Sequence, residues 1–309
     1  MLPLLFVLFV FIVVLAMVLV VMGVHKHMTK QRRKKRQEQR APQQPHVEVM
    51  FPVVVANQEE ETNHKARNKK PLLVYLHVCM IGIWHKVVKN LLTKIYDSSL
   101  MDNVDKVRVV ALGPSKDELA KLQELIEPYH KCEIRLQVDD MSNYERTTLN
   151  LMWDDAASSS GDYNILYLHS KGVTKTETEM QDRMEDWVDF MCHYLIFHYE
   201  KATYLLDHGA DVCGCNYTTL PKPHFSGNFW WSTASYLKTL PREIDPKDYL
   251  APEMWLFTKN PTAVQMSQSH CPHYFKRYRP KEYSPPVLKS NKKNVIIPFT
   301  VKEEEEVLA

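Results

Sequence analysis

The chain has 309 residues, 45% of them hydrophobic and 25% charged, which excludes a disordered protein and allows one sizeable globular domain with extensions. A formal net charge of +2 excludes a broad nucleic-acid footprint, and eight of the 39 Lys and Arg residues lie between Lys26 and Arg40, leaving the remainder mildly acidic. Six scattered cysteines, Cys79, Cys132, Cys192, Cys213, Cys215 and Cys271, lack the dense even spacing of a disulfide scaffold.

Residues 2–24 form an uninterrupted apolar run, long enough as a helix to cross a hydrocarbon core of about 30 Å. A cleaved signal peptide would have a shorter apolar core, a basic start and small residues at a cleavage site, so residues 1–25 are expected to be an uncleaved transmembrane anchor. The basic run that follows places the rest of the chain in the cytosol by the positive-inside tendency. Residues 26–70, basic and then polar around an apolar patch at 47–55, predict a stem.

From Pro71 the pattern becomes regular. LLVYLHV at 72–78 predicts a strand buried on both faces, and Trp84, Val87, Val88, Leu91, Leu92 and Ile95 follow at helical spacing. KVRVVAL at 106–112 is a second strand, and Ser115 with Glu118 forms a capping box opening a helix through Glu127. CEIRLQV at 132–138, a helix from Tyr144 to Asp155, and YNILYLH at 163–169 continue the alternation. One long helix is expected from Asp182 to Asp207, ended by Gly209, with Trp187, Phe190, Met191, Tyr194, Leu195 and His198 on its apolar face. A strand over 210–216 and a short helix after Pro252 follow, and residues 284–309 predict a peripheral arm with an acidic tail.

Strands alternating with helices indicate βαβ units, hence an α/β fold of Rossmann type with a mostly parallel sheet flanked by helices. Ligands in such sheets bind beyond the carboxyl ends of strands, which draws attention to His77, to Asp139 and Asp140, and to His169, Ser170, Lys171 and Gly172. Lys171 suits a phosphate as a point charge, and Gly172 permits close backbone approach. The segment PHFSGNFWWSTAS at 223–235 lacks either regular period, and its His224, Ser226, Gly227, Asn228, Trp230 and Trp231 suit the wall of a sugar pocket or else a buried aromatic corner. Cys213, Cys215, His224, His270, Cys271 and His273 show no CxxC or HxxxH spacing, so zinc is disfavoured and the cysteines read as small buried hydrophobes. Asp154 and Asp155 fall in a helix and are expected to face water. Asn216-Tyr217-Thr218 is an N-glycosylation pattern of consequence only in a lumenal domain.

YLHSKG at 167–172, Asp186-Trp187, GCN at 214–216, HFSGNFWW at 224–231 and PEMW at 252–255 occur in the order found in a group of glycosyltransferase-like proteins, which the chain resembles over roughly residues 71–278. The resemblance implies a GT-A-like fold in a domain over 71–283, with a nucleotide-sugar donor in the N-terminal half and a glycan, lipid or protein acceptor in the C-terminal half. It also implies that Glu253 acts as base, taking the proton of the attacking acceptor hydroxyl; Pro252 makes a helix-capping role for Glu253 the competing reading. Many such enzymes hold Mn or Mg on an acidic DxD triplet after the fourth strand, where this chain has His169-Ser170-Lys171, leaving Asp139 and Asp140 as metal candidates.

A membrane-anchored glycosyltransferase of the Golgi or another endomembrane is therefore the first expectation, although a lumenal domain opposes the charge rule. A catalytically inactive sugar-binding or scaffold protein is the alternative. Phosphoryl transfer would call for a GxxxxGK[ST] loop, which the chain lacks.

Overall fold

Apolar runs of seven or eight residues with no amphipathic alternation belong in a sheet covered on both sides, and that is where they lie in the computed structural model. It describes residues 51–52, 54–56, 70–113, 115–176, 178–285, 288–292 and 296–298, all within the unit formed by residues 48–309. The expected anchor over residues 2–24 and its basic flank lie outside the described residues. Among the described residues no helix is long and apolar enough to cross a membrane.

The strands are β1 (Phe51–Pro52), β2 (Val54–Ala56), β3 (Leu72–Cys79), β4 (Lys106–Leu112), β5 (Cys132–Val138), β6 (Asn164–His169), β7 (Val212–Cys215), β8 (Tyr217–Thr218), β9 (His224–Phe225), β10 (Trp230–Thr233), β11 (Ala263–Ser267), β12 (Lys289–Ser290) and β13 (Ile296–Pro298). The main sheet has the order β1-β12-β11-β7-β10-β6-β3-β4-β5. β5, β4, β3 and β6 are parallel neighbours; β10 runs antiparallel to both β6 and β7, and β11 is parallel to β7. The apolar patch of the expected stem and the expected C-terminal arm supply strands that pair with each other: β1 with β12, and β2 with β13.

The helices are α1 (Trp84–Asp97), α2 (Leu100–Asn103), α3 (Lys116–Ile126), α4 (Arg146–Ser158), α5 (Thr178–Cys192), α6 (Tyr199–Asp207), α7 (Ala234–Leu237) and α8 (Ala251–Met254). Leu72, Val74, Leu76 and Val78 of β3 face α1, α5 and α6, while Leu73 and Tyr75 face α4 and α7, so successive side chains enter two separate cores. β10 does the same with its two tryptophans: Trp231 enters the first core and Trp230 the second.

Local chemistry departs from expectation in three places. Ser115 caps α3 by accepting the Glu118 backbone N–H at 3.2 Å, but the Glu118 carboxylate does not reach back; it accepts from the Trp84 indole and from Lys121 Nζ. The single long helix is broken, with α5 starting at Thr178, a π turn over His193–Phe197, and α6 beginning only after His198. The Leu195 carbonyl within that wide turn accepts the Trp231 indole N–H at 2.7 Å, a tertiary bond that offsets the disrupted helical ladder. Finally, Asp155 does not face water. It accepts from the Tyr75 hydroxyl at 2.8 Å and from Arg108 Nη1 at 2.8 Å, while Asp154 pairs with Arg242 at the surface.

Candidate functional site

The chain runs outward through β3, β4 and β5 and then returns to lay β6 on the opposite side of β3. At such a reversal the connections after the two central strands diverge and leave a crevice at their carboxyl ends. Here the two ends are stitched together: Ser170 N donates to the His77 carbonyl at 2.9 Å, and Ser170 Oγ accepts the Cys79 N–H at 2.9 Å. Gly82, at φ +58°, lets the next turn pass so close that a Cβ would meet the Val173 carbonyl at 2.1 Å.

Because β10 is antiparallel to β6, its beginning lies beside the carboxyl end of β6. That places Gly227 and Asn228 against His169. His169 Nε2 donates to the Gly227 carbonyl at 3.0 Å, so its Nδ1 faces Glu145 Oε1 at 3.7 Å. Glu145 Oε2 accepts from the Tyr167 hydroxyl at 2.8 Å and from the Asn228 amide. His77, fully enclosed, shares a 2.8 Å hydrogen bond with Thr148 Oγ1. Burial pushes the His77 imidazole down to about 4 and lowers His169 as well, with the Lys171 charge adding to the latter and Glu145 opposing it. Burial alone would raise the Glu145 carboxyl, but the charges of His169 and His77, the Tyr167 hydroxyl and Lys171 outweigh it and hold it below the usual range.

Lys171 projects its ammonium over the Trp187 ring, 4.1 Å from the centroid, and His273 stacks on the same indole with centroids 5.0 Å apart and planes 3° from parallel. Burial lowers the Lys171 ammonium, against the attraction of Glu253 and Glu145; burial and the Lys171 charge bring His273 down to about 4. The loop carrying His273 is tied down by Arg277, which grips the Asp186 carboxylate with both Nε and Nη2.

Glu253, in α8, completes the group. Its carboxylate is 30% exposed, accepts no hydrogen bond among the described residues, and holds Oε1 3.9 Å from His224 Nε2. His224 donates Nδ1–H to the Lys222 carbonyl at 2.8 Å, which leaves Nε2 as the atom turned toward Glu253. A carboxylate with open oxygens can accept a proton from a bound hydroxyl, and the facing imidazole nitrogen can receive it in turn.

Of the residues expected in a site, His77, His169, Lys171, Gly227, Asn228, His224 and Glu253 converge. Ser170 is buried, with its hydroxyl and N–H both spent on β3. Gly172, at φ +87°, turns toward Met184 of α5, and Ser226 donates its N–H to the Asn216 carbonyl. Trp230 and Trp231 are not a pocket wall. Both are core residues of a central strand, 1% and 0% exposed, with their indole N–H groups satisfied by Asn228 Oδ1 and the Leu195 carbonyl. Asn216 is also buried, its amide engaged by Ser269 and His273, so the folded domain offers no free amide for a glycan.

Asp139 and Asp140 lie exposed beyond edge strand β5, and Asp140 caps the next turn by accepting the Ser142 N–H at 2.9 Å. Among the described residues no group of three or more His, Cys, Asp or Glu side chains could hold a metal ion. The groups at the end of β6 are an imidazole that donates to a carbonyl, a spent hydroxyl and an ammonium, a set that does not fit Mn or Mg.

Several members of the site escaped sequence reasoning. Glu145 stands immediately before α4, and only its place in the connection after a strand could have marked it. Tyr144, Tyr249 and Tyr274, exposed around the opening, carry no motif, and His273 stands out in the sequence only as a zinc candidate.

A family model described as a domain of unknown function (DUF8361) matches residues 84–278. No curated protein matches the sequence. Among solved structures, the chain is similar to a crystal structure of 4-diphosphocytidyl-2C-methyl-D-erythritol synthase, with a TM-score of 0.35 and 9% identity over 69% of this chain and 95% of that one.

Proposed function

The chain belongs to the DUF8361 family, a family without an assigned function, and from its own site we propose that it is a glycosyltransferase that moves a sugar from a nucleotide-sugar donor to a hydroxyl of a glycan, lipid or protein. The observation that carries this reading is Glu253: a partly exposed carboxylate, free of hydrogen bonds among the described residues, facing His224 at the crevice where the sheet order reverses. The resemblance in HSKG, HFSGNFWW and PEMW, and the GT-A-like fold it implies, agree with it.

In this reaction Glu253 takes the acceptor O–H proton as that oxygen attacks the anomeric carbon. The bond from the anomeric carbon to the donor phosphate breaks, and the nucleoside diphosphate leaves with the electron pair. Lys171, poised over Trp187, meets the growing phosphate charge. Glu145, held by Tyr167 and Asn228, keeps Lys171 and His169 oriented at the floor of the crevice.

The test is nucleotide release by the full chain from a panel of UDP, GDP and CMP sugars, with and without Mn, alongside Glu253→Gln and Lys171→Ala. Turnover lost in both variants supports the proposal. An absence of turnover and of nucleotide binding in a folded protein would leave the alternative, an inactive sugar-binding protein, which the replacement of an acidic triplet by His169-Ser170-Lys171 favours. Membrane anchoring through residues 2–24 is part of the same proposal, and retention of the expressed chain in the membrane pellet after alkaline extraction tests it.

A further inference from the structure

Three tyrosines stand at the opening of the crevice, and we infer that two of them, Tyr144 and Tyr249, form the platform on which the acceptor saccharide lies. This inference rests on the glycosyltransferase reading and adds to it the chemical class of the acceptor at its point of attack. Tyr144 is 47% exposed and Tyr249 68%, unusual for large rings that pack against each other, here edge to face with centroids 5.2 Å apart and planes at 90°. Together they make a corner of exposed aromatic surface, which suits the C–H face of a pyranose.

The corner is held, not incidental. Tyr144 adopts φ +46° and ψ −140°, a conformation unfavourable to a non-glycine residue and maintained by the adjoining structure. Two residues on, buried Arg146 donates to the Asp245 carbonyl at 2.7 Å and to the Asp248 carbonyl, clamping the loop that carries Tyr249 onto the start of α4. Tyr249 in turn lies four residues before Glu253, in the segment that leads directly into α8.

Charge distinguishes a saccharide from a nucleotide at this place. Burial raises the Tyr249 hydroxyl, and Tyr144, Glu145, Glu253 and Cys79 raise it further. The Glu253 carboxylate, with its open oxygens, repels phosphate here and accepts from the hydroxyls of a neutral sugar. The side of the crevice that offers a donor diphosphate a counter-charge is at Lys171, held over the Trp187 ring. Tyr274 stands between the two sides, edge-on to Trp187 at 5.3 Å.

Saturation-transfer NMR on the full chain, with methyl glycosides of glucose, galactose, mannose and N-acetylglucosamine and with UDP, GDP and CMP as separate probes, tests the inference without requiring turnover. At least one methyl glycoside is expected to bind. Tyr249→Ala should weaken it about tenfold, Tyr249→Trp should restore it, and neither should change nucleotide binding. Lys171→Ala should do the reverse, losing the nucleotide and keeping the glycoside. Glycoside binding unchanged by Tyr249→Ala, no glycoside bound by the folded wild-type chain, or nucleotide binding lost in Tyr249→Ala would each overturn it. Glycoside binding through Tyr249 in a protein without transfer would instead sink the transferase reading and leave the platform standing.

Discussion

Asn228 donates its side-chain amide to the carboxylate of Glu145, a residue 83 positions earlier, while its carbonyl oxygen accepts the Trp230 indole N–H at 2.9 Å. One short side chain, at φ +56°, therefore joins the floor of the crevice to the second hydrophobic core. Asn tolerates this left-handed backbone better than most residues, which suits it to the junction.

Replacing Asn228 with Ala removes both bonds and leaves the buried Trp230 N–H without an acceptor. The expected loss is about 1–3 kcal/mol. Urea unfolding should show a lower midpoint with an unchanged m-value, and a midpoint within error of wild type would contradict the role assigned to this residue.

Gly227 and Gly209 share φ +101°, but a Cβ on Gly227 would meet Met191 Sδ at 2.5 Å and Trp187 Nε1 at 3.2 Å, whereas one on Gly209 would meet nothing within 4 Å. Gly209→Ala should cost only the backbone term, about 1–2 kcal/mol. Gly227→Ala adds overpacking and should cost about 2–4 kcal/mol. Thermal unfolding of the pair isolates the packing contribution; equal losses would mean that the segment moves aside freely.

Glu253 accepts no hydrogen bond among the described residues and is partly exposed, so Glu253→Gln should leave stability within about 0.5 kcal/mol. If the carboxylate is the base, turnover should fall by about 10²–10⁴-fold in the same variant. A large drop in melting temperature would instead identify Glu253 as a structural residue of α8.

Stability should depend on pH through His77 and His273, both near 4 in the fold against an ordinary value near 6.5. Between those values the unfolded chain binds more protons than the folded one. Stability is therefore complete above about pH 6.5 and is lost as the pH falls toward 4, by up to about 3 kcal/mol for each group. Melting temperatures at pH 7.5, 6 and 5 should decline in that order, and His273→Gln should flatten the decline. A profile that stays level over this range would rule the two imidazoles out as its cause.

The strands were legible from short apolar windows, those of β3, β4 and β6 covered on both faces and that of edge strand β5 alternating and half-buried. KVRVVAL and CEIRLQV coincide with β4 and β5 residue for residue, and LLVYLHV and YNILYLH differ from β3 and β6 at one end only. The same double coverage made Trp230 and Trp231 misleading: adjacent large rings with no alternation resemble a pocket wall when the two cores that receive them are unseen. Asp155 misled for a related reason, since its partners Tyr75 and Arg108 lie on β3 and β4, beyond any helical period.

By itself the sequence determined the alternation of strands and helices from β3 to β6, and hence that His77 and His169 to Lys171 would stand at strand ends, because hydrophobic period and capping are properties of short windows. Only the tertiary structure decided that β10 inserts antiparallel between β6 and β7, so that its beginning faces the crevice and brings Gly227 to His169 and Asn228 to Glu145. Those contacts span 58 and 83 positions, and they are selected by the strand order that buries the most apolar surface, a global quantity that no local pattern encodes.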